Sequence, residues 1–306
     1  MLSASISLES RFVGAYLGLA IGDALGASVE FMTPNEIRHQ FGVHQKIIGG
    51  GWLNLKAGQV TDDTTMALAL GGAILEDADV NAFSIADAFS QWLRNKPVDV
   101  GNTVRRGIVH YRNSGQPVSP ENEYDAGNGA CMRCLPIALH TFGQAREDVQ
   151  MASRLQAHIT HHNKVSDAGT ECIIFLVQMA LQGTTKPQML AGPVAELLLS
   201  YPCYVFRDKK CDNPSAYIVD TLRAVFQSIF DTDDFETCLI DVVNRGGDAD
   251  TTGTIAGMLA GGLYGVEAIP AAWLKSLNSD IRAACEYQAR EFYARYCNAR
   301  SEANGT

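Results

Sequence analysis

The sequence predicts an all-α protein folded as one compact, multi-helix domain over residues 1–306, with its core at about residues 8–296. Apolar residues recur at helical spacing through most of the chain, and convincing alternating strands are absent. No linker-like or low-complexity stretch divides the chain. With 46% hydrophobic residues, a chain of this length can bury a large core.

Regularly spaced glycines mark two helices that we expect at the centre of the fold. They are Gly14, Gly18, Gly22 and Gly26 in the helix predicted over residues 8–29, and Gly253, Gly257, Gly261 and Gly265 in the helix predicted over residues 251–266. Because glycine costs a helix about 1 kcal/mol relative to alanine, its repetition at every fourth position indicates that two backbones approach closely. The uncharged stretch 251–266 has only 16 residues, whereas a bilayer needs about 20, so no transmembrane segment is expected.

The remaining helices are predicted from the same spacing of apolar residues. They cover residues 34–40, 64–76, 82–94, a segment after Thr103 that carries Arg105 and Arg106, 130–140, 150–161, 166–181, 188–199, 216–230, 232–243 and 277–295. The rest of residues 33–59 is a long loop that contains Gly49-Gly50-Gly51-Trp52, and loops of this length are often functional. The polar tail 301–306 is expected to be disordered.

The charge, the cysteines and the N-terminus argue against a nucleic-acid binder, a zinc protein and a secreted protein. The formal net charge of -10 leaves no basic stripe to neutralise phosphates, which argues against a general nucleic-acid binder. Eight cysteines at irregular spacing indicate buried thiols of a reducing compartment, and Cys131 and Cys134 form a lone CxxC without the second pair of a zinc site. The N-terminus lacks a basic region leading into an apolar stretch. We therefore expect a cytoplasmic protein without a signal peptide.

Two stretches rich in Asp and Thr each precede a predicted buried helix. They are Thr61-Asp62-Asp63-Thr64-Thr65 and Gly246-Gly247-Asp248-Ala249-Asp250-Thr251-Thr252-Gly253. Asp and Thr are common at helix N-termini, so capping explains either stretch taken singly. Capping does not require several carboxylates, which repel one another unless a cation lies among them. Hard oxygen ligands suit Mg²⁺ or Mn²⁺, and two such stretches facing each other could hold two ions.

Six motifs, in order and at compatible spacing from about residue 11 to residue 284, carry a resemblance to a known family. They are Gly-Asp-Ala-Leu-Gly at 22–26 with Glu30, Thr-Asp-Asp-Thr at 61–64, Pro-Val-Asp-Val-Gly at 97–101, Ala-Gly-Asn-Gly-Ala at 126–130, Ala-His-Ile-Thr-His at 157–161 and Gly-Gly-Asp-Ala-Asp-Thr-Thr-Gly at 246–253. The chain resembles the ADP-ribosylglycohydrolases, and within them the branch that activates dinitrogenase reductase. That family has an all-helical fold with a dinuclear magnesium or manganese site, and it removes ADP-ribose from modified side chains.

The resemblance implies the ligands of two divalent cations. One ion would be held by Thr61, Asp62, Asp63 and Asp250, and the other by Asp248, Asp250 and Thr251 with help from Asp62. Two such ions could grip the ribose hydroxyls and lower the pKa of a bound water. This agrees with the expectation from residue type alone that the two acidic stretches meet.

Three residues are expected to take part in catalysis. Asp99 would stabilise the positive charge of an oxocarbenium-like transition state, although a loop Asp often only bonds its own backbone. Glu30 would activate water or close over the metal ions, its alternative being a solvated surface side chain. Asp62 is expected to ligate both ions.

The remainder of the substrate is expected to lie on two further stretches. Gly127, Asn128 and Gly129 precede a helix, where backbone N–H groups could hold the pyrophosphate. His158 fits the family motif and Tyr217 could stack on adenine, although both types of side chain are more often part of a core. The loop 201–214, with three basic residues and no recognised motif, could touch a protein partner.

Three classes of function stay open from the sequence. The resemblance favours a hydrolase of ADP-ribosylarginine, because a planar guanidinium suits a carboxylate at the scissile bond, with another linkage as the alternative. An isoprenoid synthase also uses paired Asp clusters, but it requires a carboxylate where Met66 stands. A catalytically silent ADP-ribose binder is the third class. The resemblance further implies an ADP-ribosylated acceptor, the nitrogenase iron protein, and a regulator of the PII type.

Overall fold

The computed structural model describes residues 6–304, and every regular element in that range is helical. Sixteen α-helices are joined by short loops and by turns of 3₁₀ or π geometry. They are α1 (Leu8–Gly26), α2 (Pro34–Phe41), α3 (Asp62–Asp77), α4 (Ala82–Arg94), α5 (Asn102–Ser114), α6 (Gly129–Met132), α7 (Leu135–His140), α8 (Arg146–Ala157), α9 (Lys164–Leu181), α10 (Lys186–Met189), α11 (Ala195–Ser200), α12 (Ile218–Asp231), α13 (Phe235–Val243), α14 (Ala249–Tyr264), α15 (Ala271–Ser276) and α16 (Ser279–Asn304). The expected all-α class and the single compact domain are confirmed.

Helices α1 and α14 form the centre of the fold and lie against each other backbone to backbone. A Cβ atom placed on Gly18 would lie 2.1 Å from the carbonyl oxygen of Gly257, and one on Gly22 would lie 1.9 Å from that of Gly253. Real Cβ atoms do not approach a backbone so closely, which explains the glycine spacing and confirms the predicted contact. The pairing is antiparallel, so the end of α1 meets the start of α14.

Helix α3 is fastened to the same end of this pair by a buried carboxylate. Asp23, on α1, accepts hydrogen bonds from the N–H groups of Thr61 and Thr64 at 3.0 and 3.1 Å, and from the Thr64 hydroxyl at 2.5 Å. These N–H groups lie at the start of α3 and have no partner within the helix. The two Asp- and Thr-rich stretches are therefore brought to one end of the central helices.

The structure corrects two of the predicted helices. The helix expected over residues 130–140 is broken between α6 and α7, because Pro136 at the second position of α7 has no N–H to donate to the carbonyl of Met132. The helix expected over residues 188–199 is interrupted by a π-type turn in which Gly192 has φ -100° and ψ -113°, directly before Pro193. A proline cannot donate the bond that would continue a regular helix.

Two further boundaries differ from expectation. Helix α8 begins at Arg146 and ends at Ala157, so residues 158–161 lie in a connection and not on the helix expected over residues 150–161. Helix α16 continues through Asn304, so residues 301–304 are helical and not disordered; residues 305–306 lie outside the described range, as do residues 1–5. Among the described helices, none combines the length and apolar character needed to cross a bilayer.

Candidate active site

Three carboxylates converge where α1 ends and α14 begins. One oxygen each from Glu30, Asp248 and Asp250 lie within 4.8 Å of one another, and all three residues are buried. Asp248 and Asp250 enter with the first turn of α14, while Glu30 follows the last turn of α1. The sequence placed Glu30 among the catalytic residues and not among the ligands, whereas the geometry makes it part of the carboxylate cluster.

Helix α3 adds Asp62 and Asp63 to this cluster. The Oδ2 of Asp63 accepts hydrogen bonds from the hydroxyls of Thr251 at 3.2 Å and Thr61 at 3.4 Å. Its Oδ1 is buried and has no hydrogen-bond partner. An ionised carboxylate accepts at both oxygens, so this orphaned oxygen indicates a cation. Carboxylate and hydroxyl oxygens are the hard ligands that Mg²⁺ and Mn²⁺ prefer, and the residues therefore fit a divalent metal site.

Burial and mutual repulsion raise the pKa values of the carboxylates in this cluster. Burial raises the pKa of Asp62 to about 7, that of Glu30 to about 8 and that of Asp248 to about 6, and neighbouring carboxylates contribute further. Burial also holds the pKa values of Asp63 and Asp250 well above their ordinary range. A cation among these groups would reverse the effect by favouring their charged forms.

Asp99 lies beside the cluster in the loop between α4 and α5. It is half-buried, and its charge is one of the causes that raise the pKa values of Asp62, Asp248 and Glu30. The Oδ1 of Asp99 accepts the N–H of Val100 at 2.7 Å, which is the local bond expected of a loop Asp. Its second oxygen is thus left for a ligand, and its catalytic role stays a prediction.

The turn at residues 127–129 reaches the cluster through a side chain. The amide group of Asn128 donates to the Oδ2 of Asp248 and, at 2.9 Å, to the hydroxyl of Thr221. The backbone N–H of Asn128 is donated to the carbonyl of Ala216 at 3.0 Å, so it is not free for a phosphate. Because α6 has only four residues, it adds little helix dipole. Pyrophosphate binding by Gly127 and Gly129 stays a prediction.

A histidine that the sequence analysis missed lies against this turn. A Cβ on Gly129 would lie 2.6 Å from the ring of His161, and one on Gly127 would lie 3.1 Å from it. The Nδ1 of His161 pairs with the Thr160 hydroxyl at 2.8 Å. That hydroxyl accepts from Arg133, a fully buried arginine, at 2.8 Å. The Thr160 hydroxyl has no acceptor besides Nδ1 among the described residues, so we assign its proton to Nδ1. The His161 proton would then lie on Nε2, facing the turn.

The comparisons with known proteins agree with this geometry. A family model described as ADP-ribosylglycohydrolase matches residues 4–302. The chain belongs to the ADP-ribosylglycohydrolase family. It is 47% identical over 275 residues to an ADP-ribosyl-(dinitrogen reductase) glycohydrolase of Rhodospirillum rubrum, covering 90% of this chain and 92% of that protein.

Two further members of the family extend the comparison. An ADP-ribosylarginine hydrolase of Pseudomonas putida is 31% identical and covers 87% of this chain and 74% of that protein. A solved structure described as an ADP-ribosylglycohydrolase-related protein complex superimposes with a TM-score of 0.84 at 33% identity, covering 94% of this chain and 98% of that one. The protein is therefore a glycohydrolase, and the isoprenoid-synthase alternative is wrong.

Of the two predicted substrate-binding side chains His158 and Tyr217, only Tyr217 lies next to the carboxylate cluster. His158 bonds Asp167 at 2.9 Å and stacks on His162 in a cavity of about 520 Å³ that none of the cluster carboxylates lines. Tyr217 is 43% exposed and its backbone pairs with Gly127, so it stands next to the turn that reaches the cluster. The structure thus brings Tyr217 next to the site but not His158, and a substrate role for either residue stays a prediction.

Two other features of the sequence lie outside the site. Cys131 and Cys134 are buried free thiols, and burial raises the pKa of Cys131 well above its ordinary value, which leaves it unreactive. In the loop 201–214, Arg207 pairs with Asp231 and Lys210 with Asp212, so much of the expected basic surface is neutralised within the chain. A protein partner at this loop stays a prediction.

Proposed function

We propose that this glycohydrolase cleaves the N-glycosidic bond between ADP-ribose and an arginine of an acceptor protein, using two divalent cations, Mn²⁺ or Mg²⁺. The observation that carries the proposal is the meeting of Glu30, Asp248 and Asp250 within 4.8 Å beside the unpartnered oxygen of Asp63. The relative named for ADP-ribosylarginine supports the linkage. The relative named for dinitrogen reductase supports that protein, the nitrogenase iron protein, as the acceptor. A PII-type regulator rests on the resemblance alone, and a cytoplasmic location rests on the sequence alone.

The proposed ligands come from the two acidic stretches. They are Thr61, Asp62, Asp63, Asp248, Asp250 and Thr251. When bound, divalent cations supply Lewis acidity, because they polarise ribose hydroxyls and lower the pKa of a bound water. The other steps belong to side chains of the protein.

Glu30 would accept the proton of the attacking water. The indole N–H of Trp52 donates to its Oε2 at 2.6 Å, which holds the carboxylate and leaves Oε1 for the water. Burial raises the pKa of Glu30 to about 8, and nearby cations would lower it towards neutrality, where a general base is most effective.

Asp99 would stabilise the positive charge that develops at C1″ as the glycosidic bond stretches. When the C1″–N bond breaks, its electron pair goes to the guanidine nitrogen. That nitrogen takes up the proton lost by the water, so arginine leaves as a guanidinium and the water oxygen stays on C1″. Charge and atoms balance without any further reactant.

The metal assignment is tested by Asp250→Asn, measured as ADP-ribose release from an ADP-ribosylarginine peptide at saturating Mn²⁺. We expect turnover to be abolished in a folded protein, because asparagine keeps the oxygen that accepts the Thr251 N–H at 2.8 Å but, being neutral, is a weaker metal ligand. The matched control is Asp79→Asn, the same change at an exposed position after α3. Activity near wild type in Asp250→Asn would refute the metal site.

The linkage is tested with matched peptides that carry ADP-ribose on arginine or on serine. Loss of one charge-assisted pair costs on the order of 2–3 kcal/mol, so we expect kcat/KM to be roughly a hundredfold higher for the arginine peptide. Equal rates, or faster release from serine, would contradict the arginine assignment and leave the glycohydrolase class standing. A protein that binds ADP-ribose but releases none from either peptide would be a silent relative.

A further inference from the structure

Two exposed aromatic rings stand at the rim of the carboxylate cluster. Phe31 and Trp52 are 64% and 51% exposed, and their ring centroids lie 5.4 Å apart. Both line a cavity of about 820 Å³ that also includes Glu30. The pair therefore borders the one cluster carboxylate that opens towards this side of the molecule.

The fold holds Phe31 in this position at a conformational cost. Its φ is 63°, in the left-handed region that a bulky residue rarely adopts. The N–H of Phe31 is donated to the carbonyl of Gly247 at 2.7 Å, and the N–H of Gly247 to the carbonyl of Met32 at 2.9 Å. These two bonds tie the strained residue to the loop that leads into Asp248. Strain that surrounding structure maintains at an exposed apolar residue points to a functional role.

Trp52 is placed by a loop that requires glycine. Gly49, Gly50 and Gly51 have φ values of 71°, 85° and 66°, and a Cβ on Gly51 would lie 2.4 Å from the carbonyl of Ala27 at the end of α1. This close approach brings the indole N–H to Glu30 at 2.6 Å. The indole has no other donor, so only its ring face is left for a ligand.

We propose that Phe31 and Trp52 form an acceptor subsite that binds the guanidinium group of the modified arginine, an inference that rests on the proposed hydrolysis of ADP-ribosylarginine. Aromatic faces attract cations, and a planar guanidinium both stacks on such faces and pairs with carboxylates. Glu30, the cluster carboxylate that Trp52 contacts, supplies the opposite charge. A neutral serine linkage would gain none of these interactions.

The position of the pair favours the acceptor over the adenine of ADP-ribose. Asn128 and Tyr217 reach the cluster from the side of Asp248, through the Asn128 amide. Phe31 and Trp52 reach it from the side of Glu30. If the scissile bond lies at the carboxylates, the Glu30 side is available for the acceptor and the Asp248 side for the rest of ADP-ribose. The anionic diphosphate would also be repelled by Glu30, whereas a guanidinium is attracted.

The test compares Trp52→Leu and Phe31→Leu with wild type, using the Mn²⁺-loaded enzyme and an ADP-ribosylarginine peptide. We expect KM for this peptide to rise about 3- to 30-fold in each variant, while the inhibition constant of free ADP-ribose changes less than about twofold. Trp52→Phe keeps a ring face and loses the N–H to Glu30, so we expect a smaller rise in KM together with a lower kcat.

The matched control is Phe83→Leu, which removes a 54% exposed aromatic ring from α4 and is expected to leave KM unchanged. Thermal unfolding of each variant shows whether it is folded. The acceptor subsite is refuted if both leucine variants keep the wild-type KM for the arginine peptide. It is also refuted if they raise the inhibition constant of free ADP-ribose by the same factor as that KM. If the wild-type enzyme itself releases nothing from the arginine peptide, the proposed function fails, and the subsite fails with it.

Discussion

Replacing Asp62 by asparagine is expected to stabilise the metal-free protein while it abolishes turnover. Asp62 is buried in the first turn of α3, and burial, followed by the charges of Asp99 and Asp23, raises its pKa from 3.8 to about 7. The folded state therefore binds this proton more tightly than the unfolded chain does. Stability that is present below about pH 4 is lost as the pH rises through about 7. Asparagine cannot ionise, so the variant keeps that stability.

The magnitude follows from the change in proton affinity. A tenfold change corresponds to about 1.4 kcal/mol, so a rise from 3.8 to about 7 corresponds to on the order of 4 kcal/mol above pH 7. The long bond from the Gly101 N–H to the Asp62 Oδ2, at 3.4 Å, can be kept by the asparagine oxygen.

Urea unfolding in the presence of EDTA measures this difference. We expect Asp62→Asn to be more stable than wild type by on the order of 4 kcal/mol at about pH 8 and equally stable at about pH 4, while the exposed control Asp79→Asn follows wild type at both. Mn²⁺ should stabilise wild type and not the variant, because only wild type binds it in the folded state. Equal midpoints for wild type and Asp62→Asn at about pH 8 would refute the reasoning.

Four further outcomes are expected. Binding of Mn²⁺ at about pH 6 should release protons, since the raised pKa values of the cluster fall when a cation enters; calorimetry in two buffers of different ionisation enthalpy measures this. Asp99→Asn should lower kcat by roughly 10²–10³ with little change in ADP-ribose affinity, as steady-state kinetics would show. Gly257→Ala should destabilise the protein by about 3 kcal/mol in urea unfolding, because its Cβ would lie 2.0 Å from a backbone oxygen, whereas Gly72→Ala, with nothing closer than 3.9 Å, should not. Thr160→Val removes the hydroxyl that pairs with Nδ1 of His161, so the ring proton should then be shared between Nδ1 and Nε2, as ¹⁵N NMR spectra would show. In the wild type, a ring protonated on Nδ1 would contradict the hydrogen-bond chain from Arg133.

Much of the site could be predicted because residue type alone restricted the possibilities. Glycine at every fourth position of a helix has few explanations besides backbone contact, and α1 and α14 show that contact at Gly18 and Gly22. Several carboxylates at a helix start likewise exceed what capping requires, and Asp62 and Asp250 do lie in one buried cluster. Where a sequence pattern has a single physical cause, the sequence was sufficient to predict the contact.

The parts that could not be predicted depend on contacts between distant segments. Asp23 stands in a recognised motif, yet its bonds to Thr61 and Thr64 appear only when α1 and α3 are packed. The position of His161 against the turn at residues 127–129 depends on where α8 ends, which the spacing of apolar residues leaves uncertain. The contact of Trp52 with Glu30 depends on a glycine loop whose path no local pattern specifies.

The backbone contact between α1 and α14 also determines which parts of the molecule can move. Sliding either helix by one residue would bring a side chain into the space now occupied by a glycine, so the pair has a single register. Amide hydrogens at Gly18 and Gly257 should therefore exchange with solvent only when the whole domain unfolds. The substrate must then be admitted from outside this helix pair, on the side where residues 27–33 and 49–55 carry Glu30 and the aromatic pair.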